Sequence, residues 1–254
     1  STTNTNGQID GTFSGDAIKD ESSVNSLHYD KKPTVVSIIG FPAYGKTCFI
    51  ATIYQILLNE GKLDEFSFVD SDTFVGFERR IYMRRCSVLD ENSAPQTKRT
   101  LRGEGHILTL RFTHPQDGEK IIIVTDRSGE DYIDCANQKN KINDHLLLKH
   151  SDYILLFVDS TILVDCAQMM EFSDTLSDLL TNIQQAQAIQ KSAQILIVFN
   201  KIDAVELSTQ FQKSSDTIEA LIKEKFPLNN IVSKRIVSNN IANSKGLKQL
   251  FSEI

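Results

Sequence analysis

The residues from Gly40 to Thr47 combine the backbone freedom and the side chains that a phosphate-binding loop requires. They read Gly-Phe-Pro-Ala-Tyr-Gly-Lys-Thr. Glycines let the backbone wrap closely around phosphates, and successive N–H groups at a helix N-terminus form an anion site. We therefore predict that Lys46 bridges the β- and γ-phosphates of a nucleotide and that the Thr47 hydroxyl coordinates Mg²⁺. The predicted phosphate-loop contacts are Gly40, Ala43, Tyr44, Gly45, Lys46, Thr47 and Cys48.

A second polar segment, Asp126-Arg127-Ser128-Gly129-Glu130, begins where another apolar run stops. A phosphate-loop protein that hydrolyses nucleotides needs a carboxylate on the neighbouring strand to hold Mg²⁺, usually through water, and Asp126 is placed for that role. Gly129 is predicted to offer its backbone N–H to the γ-phosphate, because a glycine permits close approach. The pattern Asp-x-x-Gly is common by chance and becomes informative only as the second element after the phosphate loop.

A third polar segment, Asn200-Lys201-Ile202-Asp203, predicts a site for guanine. The carboxylate of Asp203 can accept hydrogen bonds from both N1–H and the exocyclic amine of guanine, whereas adenine presents no such pair of donors. Lys201 can lie over the base and ribose. Asn200 can bind the purine edge and also tie down the phosphate loop.

The elements that position these segments are indicated by hydrophobic patterning. Short apolar runs predict buried strands, and each polar segment begins where such a run ends. The predicted buried strands lie at residues 35–39, 121–124, 153–158, 195–199 and 231–237. Long helical patterns separate the last three runs, over about residues 163–191 and 207–225.

Two further patterns complete the predicted fold. Apolar residues at helical spacing follow the phosphate loop, with Gly61 suited to the end of that helix. The partly alternating run at 106–113 and the turn at 114–118 predict a hairpin. The sequence thus predicts an α/β fold: a mostly parallel central sheet with one antiparallel edge strand and helices on both faces. Ligands of such sheets bind beyond the carboxyl ends of the strands.

Composition narrows the class of protein. The chain has 254 residues, 40% of them hydrophobic, and a formal net charge of −6, which argues against a nucleic-acid-binding chain. The four cysteines show no metal-type spacing, and neither a signal peptide nor a membrane span is evident, so we expect a cytoplasmic protein.

The sequence also predicts how the chain is divided. We expect residues 1–32 to form a flexible N-terminal arm, with Phe13 and Leu27 as anchors, ahead of a domain at 33–254. Whether the chain is part of a longer protein stays open.

The order of the three polar segments, from Val35 to the C-terminus, resembles the translation-factor-related class of P-loop GTPases, which includes Ras-like proteins. Three stretches look like a bacterial branch of double-GTPase-type proteins, often encoded with conflict or phage-defence systems: 40–49, 71–78 and 128–131. The resemblance implies a G domain that binds GTP and GDP with Mg²⁺, hydrolyses GTP and switches between two states. It also implies a protein effector or activator that binds the switch regions, and a role in bacterial defence.

The sequence departs from this class in three places. The segment before Asp126 is longer than a Ras-like switch I region, with an insertion at about 63–102 that is either a lid or partner surface or a packed helical ornament. Glu130 stands where Ras-like enzymes have the glutamine that orients the attacking water, so we expect slow hydrolysis. Ser238 and the backbone N–H of Asn239 stand where these proteins usually carry Ser-Ala-Lys, and either support guanine O6 or form an ordinary loop.

Two roles in the switch I region stay open. Thr100 is favoured over Thr97 as the threonine that completes Mg²⁺ coordination. Arg99, just before it, is a candidate arginine finger in cis, with Arg127 as the alternative. The simpler interpretation of both arginines is a solvated basic surface. The catalytic set implied by the resemblance is therefore Lys46, Glu130 and Arg99, and the metal set is Thr47, Thr100 and Asp126.

Three functions compete at this stage. The leading hypothesis is a GTPase switch, supported by Lys46, Thr47 and Asp126. The alternative is a nucleotide-binding scaffold that recruits partners without useful turnover, supported by Glu130 and the altered loop at Ser238. An ATPase or a kinase would rest on the phosphate loop alone.

Overall fold

In a computed structural model, the alternating strand and helix patterns form one sheet with the strand order β2-β3-β4-β5-β1-β6-β7-β8. The structure describes residues 15–27, 29–87, 100–103, 105–205, 207–238 and 245–254. The strands are β1 (Thr34–Ile39), β2 (Lys62–Leu63), β3 (Phe66–Asp70), β4 (Gly105–His114), β5 (Gly118–Arg127), β6 (Tyr153–Asp159), β7 (Gln194–Asn200) and β8 (Ile231–Arg235). The helices are α1 (Lys46–Glu60), α2 (Phe74–Ser87), α3 (Gly129–Asn137), α4 (Cys166–Gln185), α5 (Thr209–Lys225) and α6 (Lys245–Ser252).

The centre of the sheet is parallel and buried. β1 pairs in parallel with β5 and β6, and β7 pairs in parallel with β6 and β8. Ile38, Leu155 and Leu196, on three adjacent strands, each have 0% exposure. Strands covered on both faces need apolar side chains on both, which is why these segments read as continuous apolar runs. The predicted α/β fold class with a mostly parallel sheet is confirmed.

The antiparallel part of the sheet is larger than the single edge strand that the sequence predicted. The predicted hairpin is present, since β4 pairs antiparallel with β5 along its whole length. However, β3 pairs with the other side of β4, and the two-residue β2 pairs with β3. These additional strands are short and mostly exposed, so they carry no clear apolar alternation.

The described part of the predicted insertion, 63–87 and 100–102, is packed against the domain rather than separate from it. β3 extends the sheet, and α2 lies on α1, where the rings of Tyr54 and Phe77 stack with centroids 4.6 Å apart. Its outer surface keeps exposed apolar side chains at Val69, Phe74 and Tyr82. Packing of this kind fits the ornament alternative, and a partner role for the exposed side chains stays a proposal.

The N-terminal segment contacts the sheet at points that the sequence did not indicate. The backbones of Ile18 and Ile107 exchange two hydrogen bonds, and Glu21 is buried at the start of a short 3₁₀ helix, Glu21–Ser26. Leu27, a predicted anchor, packs against a small apolar cluster that contains Ile18 and Ile107. Phe13, the other predicted anchor, lies outside the described residues. The domain boundary at residue 33 stays a prediction. In the described part of the chain no helix is long and apolar enough to cross a membrane.

Candidate functional site

The phosphate loop connects the end of β1 to the start of α1, as predicted. Gly45, the residue before α1, has a left-handed backbone with φ of 87°. A Cβ at this position would lie 2.2 Å from Asn200 Nδ2 and 2.8 Å from Ser238 Oγ. Both the conformation and the space therefore require glycine at Gly45.

Residues from two of the predicted segments surround one cavity of about 320 Å³ at this loop. The cavity is open to solvent. It is lined by Pro42, Ala43, Tyr44, Gly45, Lys46, Thr47, Cys48, Thr100, Arg127, Ser128 and Gly129. The structure therefore brings the phosphate loop, the predicted switch threonine and the Asp-x-x-Gly segment together.

Lys46 lies across the loop with only 6% of its surface exposed. Its Nζ donates hydrogen bonds to the carbonyl oxygens of Gly40, at 2.7 Å, and Phe41, at 3.1 Å. Burial lowers the pKa of Lys46 to about 8, and the nearby carboxylates of Asp126, Asp131 and Glu130 oppose that shift. At neutral pH the ammonium group is therefore mostly protonated and lies beside the cavity.

Three oxygen-bearing side chains that were predicted to hold a metal converge beside Lys46. The hydroxyl of Thr47 donates to Asp126 Oδ1 at 3.0 Å. The hydroxyl of Thr100 lies 3.3 Å from that of Thr47 and donates to Asp126 Oδ2 at 3.3 Å. Hydroxyl and carboxylate oxygens are the donors that Mg²⁺ prefers, so this set fits the metal. The alternative, Thr97, lies outside the described residues.

Arg80 of α2 is a charged residue at this site that the sequence analysis did not assign a role. Its Nε donates to Asp126 Oδ2 at 2.8 Å, and the two side chains are 9% and 0% exposed. The signal that could have found it is position: Arg80 lies beside Ile81 and three residues after Phe77, both of which are buried. An arginine next to the core face of a helix requires a buried partner.

Gly129 is packed directly against the phosphate loop. A Cβ there would lie 2.2 Å from the backbone nitrogen of Pro42, so no larger residue fits. The next residue, Glu130, accepts a hydrogen bond from the hydroxyl of Ser128 at 2.9 Å, and that hydroxyl also accepts from the Glu130 N–H as the cap of α3. The carboxylate of Glu130 is thus turned towards the start of its own helix.

Arg127, the alternative candidate for the arginine finger, lines the cavity, but its guanidinium hydrogen-bonds to segments outside the phosphate loop. Arg127 donates from Nε to Glu21 Oε1 at 2.9 Å and from Nη2 to the carbonyl oxygen of Asp144 at 2.6 Å. Its guanidinium is therefore occupied by the N-terminal segment and by the loop after α3. Arg99, the first candidate, lies outside the described residues.

The predicted guanine segment follows β7 and reaches back to the phosphate loop through one amide. Asn200 is fully buried, and its Nδ2 donates to the Tyr44 carbonyl oxygen and to Ser238 Oγ, each at 2.8 Å. Its Oδ1 accepts from the Ser238 N–H at 2.9 Å. Asn200 thus forms the contact with the loop that the sequence predicted.

The other described residues of the predicted guanine segment are more exposed than Asn200. Lys201 has a left-handed backbone and forms an ion pair with Asp159, at the end of β6. Asp203 is exposed on the short 3₁₀ helix Ile202–Ala204. Asn239, the predicted neighbour of Ser238 at guanine O6, lies outside the described residues.

A model of the family described as Double-GTPase 2 matches residues 34–253, nearly all of the domain described above. The chain belongs to the Double-GTPase 2 family. Its resemblance to P-loop GTPases, and to double-GTPase-type proteins among them, is thereby confirmed. No match is found among curated proteins.

Solved structures that the chain is similar to include two elongation factors and a small GTPase. Translation elongation factor SelB from Methanococcus maripaludis, in complex with the GTP analogue GppNHp, is 14% identical with a TM-score of 0.43, covering 89% of this chain and 34% of that protein. A bacterial selenocysteine-specific elongation factor, EF-Sec, is 15% identical with a TM-score of 0.45, covering 88% and 29%. The small GTPase Arl6 from Trypanosoma brucei is 14% identical with a TM-score of 0.46, covering 87% and 95%. This chain thus spans about a third of the length of the elongation factors.

Proposed function

We propose that this Double-GTPase 2 protein binds GTP and GDP together with Mg²⁺, hydrolyses GTP and acts as a nucleotide-dependent switch. The observation that carries the proposal is the convergence of Thr47, Thr100 and Asp126 beside Lys46. Those three residues come from the phosphate loop, the switch I region and the end of β5, which are distant in sequence. Thr47 and Thr100 line the cavity and Asp126 hydrogen-bonds to both, which is the arrangement that a nucleotide with its metal ion requires.

Each of these residues has a distinct role in the proposed reaction. The ammonium group of Lys46 attracts the phosphates, and the backbone N–H groups of the loop bind their oxygens. Thr47 and Thr100 would hold Mg²⁺ through their hydroxyls, and Asp126 through a water molecule. When bound, the metal neutralises charge that develops on the phosphate oxygens. The backbone N–H of Gly129, at the start of α3, would donate to the γ-phosphate.

Hydrolysis is expected to be slow because of Glu130. A glutamine at this position can accept a hydrogen bond from the attacking water and donate one to the γ-phosphate, whereas a carboxylate can only accept. The hydrogen bond from Ser128 also holds the Glu130 carboxylate near the helix start. A partner protein that reorients Glu130 or supplies an arginine would raise the rate.

Guanine selectivity is assigned to Asp203 because its exposed carboxylate follows the buried Asn200. Asn200 fixes the strand end against the phosphate loop, so the position of Asp203 relative to the phosphates is set by three hydrogen bonds. A carboxylate here matches the two donors of guanine and repels the N1 lone pair of adenine.

Single-turnover hydrolysis tests the enzymatic part of the proposal. Purified protein with excess Mg²⁺ should release phosphate from GTP, and Lys46→Ala, which lacks the phosphate-bridging charge, sets the background. Release at the Lys46→Ala rate, despite normal binding of GTP, would contradict an enzyme. It would instead support the nucleotide-binding scaffold.

Competition binding tests the choice of base. GTP, but not ATP at a hundredfold higher concentration, should displace a fluorescent GDP derivative from the wild type. Asp203→Asn should reduce this preference, because an amide can donate to adenine N1 as well as accept from guanine. Equal displacement by ATP in the wild type would favour an ATPase or a kinase.

The switch itself is assigned to the Thr100 segment and to residues 126–134. Hydrogen exchange at 100–103 and in α3 should be slower with a non-hydrolysable GTP analogue than with GDP, because the γ-phosphate adds contacts to both segments. An effector or activator would bind these segments and the exposed surface of the insertion. A role in bacterial defence, supported by family membership alone, predicts that Lys46→Ala abolishes protection of host cells from phage.

A further inference from the structure

The ion pair between Arg80 and Asp126 joins an element outside the three motifs to the proposed metal site. The donor is Nε of Arg80 and the acceptor is Oδ2 of Asp126, at 2.8 Å, with both side chains buried. Such a pair is shielded from water, so its geometry is much more restrained than that of a surface pair. The guanidinium therefore constrains where the carboxylate can point.

Arg80 is itself held in place by the helix that carries it. Its Nη1 donates to the carbonyl oxygen of Gly76, one turn earlier in α2, at 2.8 Å. Gly76 packs so closely against the N-terminal segment that a Cβ there would lie 2.7 Å from the nitrogen of Ala17. On the other side, Phe77 stacks on Tyr54 of α1. The arginine thus projects from a helix that is fixed on two sides.

The two oxygens of Asp126 have different partners. Oδ1 accepts from the Thr47 hydroxyl, whereas Oδ2 accepts from Arg80 and, at a longer distance, from Thr100. Rotation of the carboxylate would break the contact with Arg80. The orientation that remains directs Oδ1 to Thr47, the residue that is expected to bind the metal directly.

We propose that Arg80 is a positioning residue that orients the Asp126 carboxylate for Mg²⁺ and thereby couples α2 to metal binding. The proposal rests on the proposed function, because it assumes that Mg²⁺ binds at Thr47, Thr100 and Asp126. Partners that orient metal ligands from outside typically change metal affinity by 10- to 100-fold when they are removed. Two other roles are open to test: a purely structural ion pair, and a cation that competes with Mg²⁺ for Asp126.

The experiment is a Mg²⁺ titration of GDP binding, with a fluorescent GDP derivative in metal-buffered solution. Four proteins are compared: the wild type, Arg80→Gln, Arg80→Lys and Arg79→Gln. Arg79 is a matched control, because it precedes Arg80 on α2 but is 64% exposed and pairs with Asp16 on the N-terminal segment. Binding in EDTA measures the metal-independent part of affinity for each protein.

Arg80→Gln should raise the Mg²⁺ concentration for half-maximal binding by about tenfold, while affinity in EDTA changes by less than about twofold. Arg80→Lys keeps the charge but not the planar donor geometry, so it should lie between Arg80→Gln and the wild type. Arg79→Gln should match the wild type. A wild type that binds no guanine nucleotide would contradict the proposed function, and this outcome is distinct from any effect confined to Arg80.

Two results would overturn the proposal. An unchanged Mg²⁺ requirement in Arg80→Gln and Arg80→Lys would assign the pair a structural role only. A lower requirement in Arg80→Gln would show that Arg80 competes with the metal. If Arg80→Gln does not fold, the test rests on Arg80→Lys. A folded Arg80→Lys protein with the Mg²⁺ requirement of the wild type would then contradict the proposal that Arg80 positions Asp126.

Discussion

The phosphate side of the proposed nucleotide cleft, around Lys46 and Asp126, and its proposed base side, around Asn200 and Asp203, differ in how their charged groups are held. On the phosphate side, Lys46 and Asp126 are almost completely buried, and each has two or more hydrogen-bond partners. On the base side, the group that is expected to select guanine, Asp203, is exposed on a short 3₁₀ helix. Within the guanine segment, all four residues of which the structure describes, Asn200 is buried, Lys201 and Ile202 are half-buried and Asp203 is exposed.

The difference is consistent with what each side is proposed to bind. Triphosphate and metal carry high opposite charges, and a site that fixes its donors in advance avoids rearranging them when the ligand arrives. Guanine is neutral, and a solvated carboxylate can discriminate it from adenine once the base covers it. Preorganisation is thus concentrated where charge is highest, and substitutions on the phosphate side should have the larger effects.

Gly129→Ala is expected to have the largest effect on the phosphate side. The added Cβ would lie 2.2 Å from the nitrogen of Pro42, so either α3 or the phosphate loop must move. We expect affinity for a non-hydrolysable GTP analogue to fall about 100-fold, and more than affinity for GDP, because the movement would displace the Gly129 N–H that is proposed to bind the γ-phosphate. Isothermal titration calorimetry measures both.

The control measurement for Gly129→Ala is the affinity for the GTP analogue divided by the affinity for the corresponding ATP analogue. The comparison of the two sides predicts that this ratio stays near the wild-type value, since Asp203 is untouched. An equal loss for GTP analogue and GDP, with a collapsed base preference, would mean that the two sides are not separable.

Asn200→Ala should weaken both sides, because this residue connects them. The substitution removes hydrogen bonds to the Tyr44 carbonyl, Ser238 Oγ and the Ser238 N–H, and it leaves buried backbone groups without those partners. We expect a loss of about 3 kcal/mol in the free energy of unfolding, measured with urea, and weaker binding of both guanosine and GDP.

Asn182→Ala is the control for that substitution. Asn182 of α4 also donates from one amide to two backbone carbonyls, those of Cys135 and Ala136, but at a distance from the motifs. It should lower the free energy of unfolding while guanosine affinity is unchanged. If Asn200→Ala behaves in the same way, the amide supports only the fold and does not connect the two sides.

The same contrast explains which features the sequence could predict. The phosphate loop, Asp126 and Asn200 are recognisable because their chemistry depends on local spacing and on the end of a buried strand. The convergence of Thr47 with Thr100 was also accessible, since Thr100 precedes the first strand of the hairpin. These expectations required no knowledge of how distant elements pack.

The features that the sequence analysis missed depend on tertiary packing. Arg80 reaches Asp126 only because α2 lies on α1; its place beside the buried Ile81 indicates a buried partner, but the sequence does not indicate which one. Glu21, more than a hundred positions away in the sequence, pairs with Arg127 and engages the guanidinium that was a candidate arginine finger. The strands β2 and β3 are too short and exposed to produce a periodic pattern.

Measuring nucleotide affinity as a function of pH distinguishes the contribution of the phosphate side from that of the base side, without any change to Asp203. Burial lowers the pKa of Lys46 to about 8 in the free protein, and bound phosphates must raise it, because they favour the charged form. Affinity for a GTP analogue should therefore fall as the pH rises past about 8, by at most about tenfold per pH unit, as free Lys46 loses its proton.

Guanosine is the internal reference for this titration, since it has the same base and no phosphates. The ratio of GTP-analogue to guanosine affinity removes any effect of the base, which both ligands share, and leaves the effects of Lys46 and of the terminal phosphate. Lys46→Arg remains protonated over this range, so its ratio should not change above about pH 8, where the terminal phosphate is already ionised, even if its affinity is lower. A wild-type ratio that is equally flat would mean that Lys46 stays charged throughout. The pKa of Lys46 would then be higher than its burial implies.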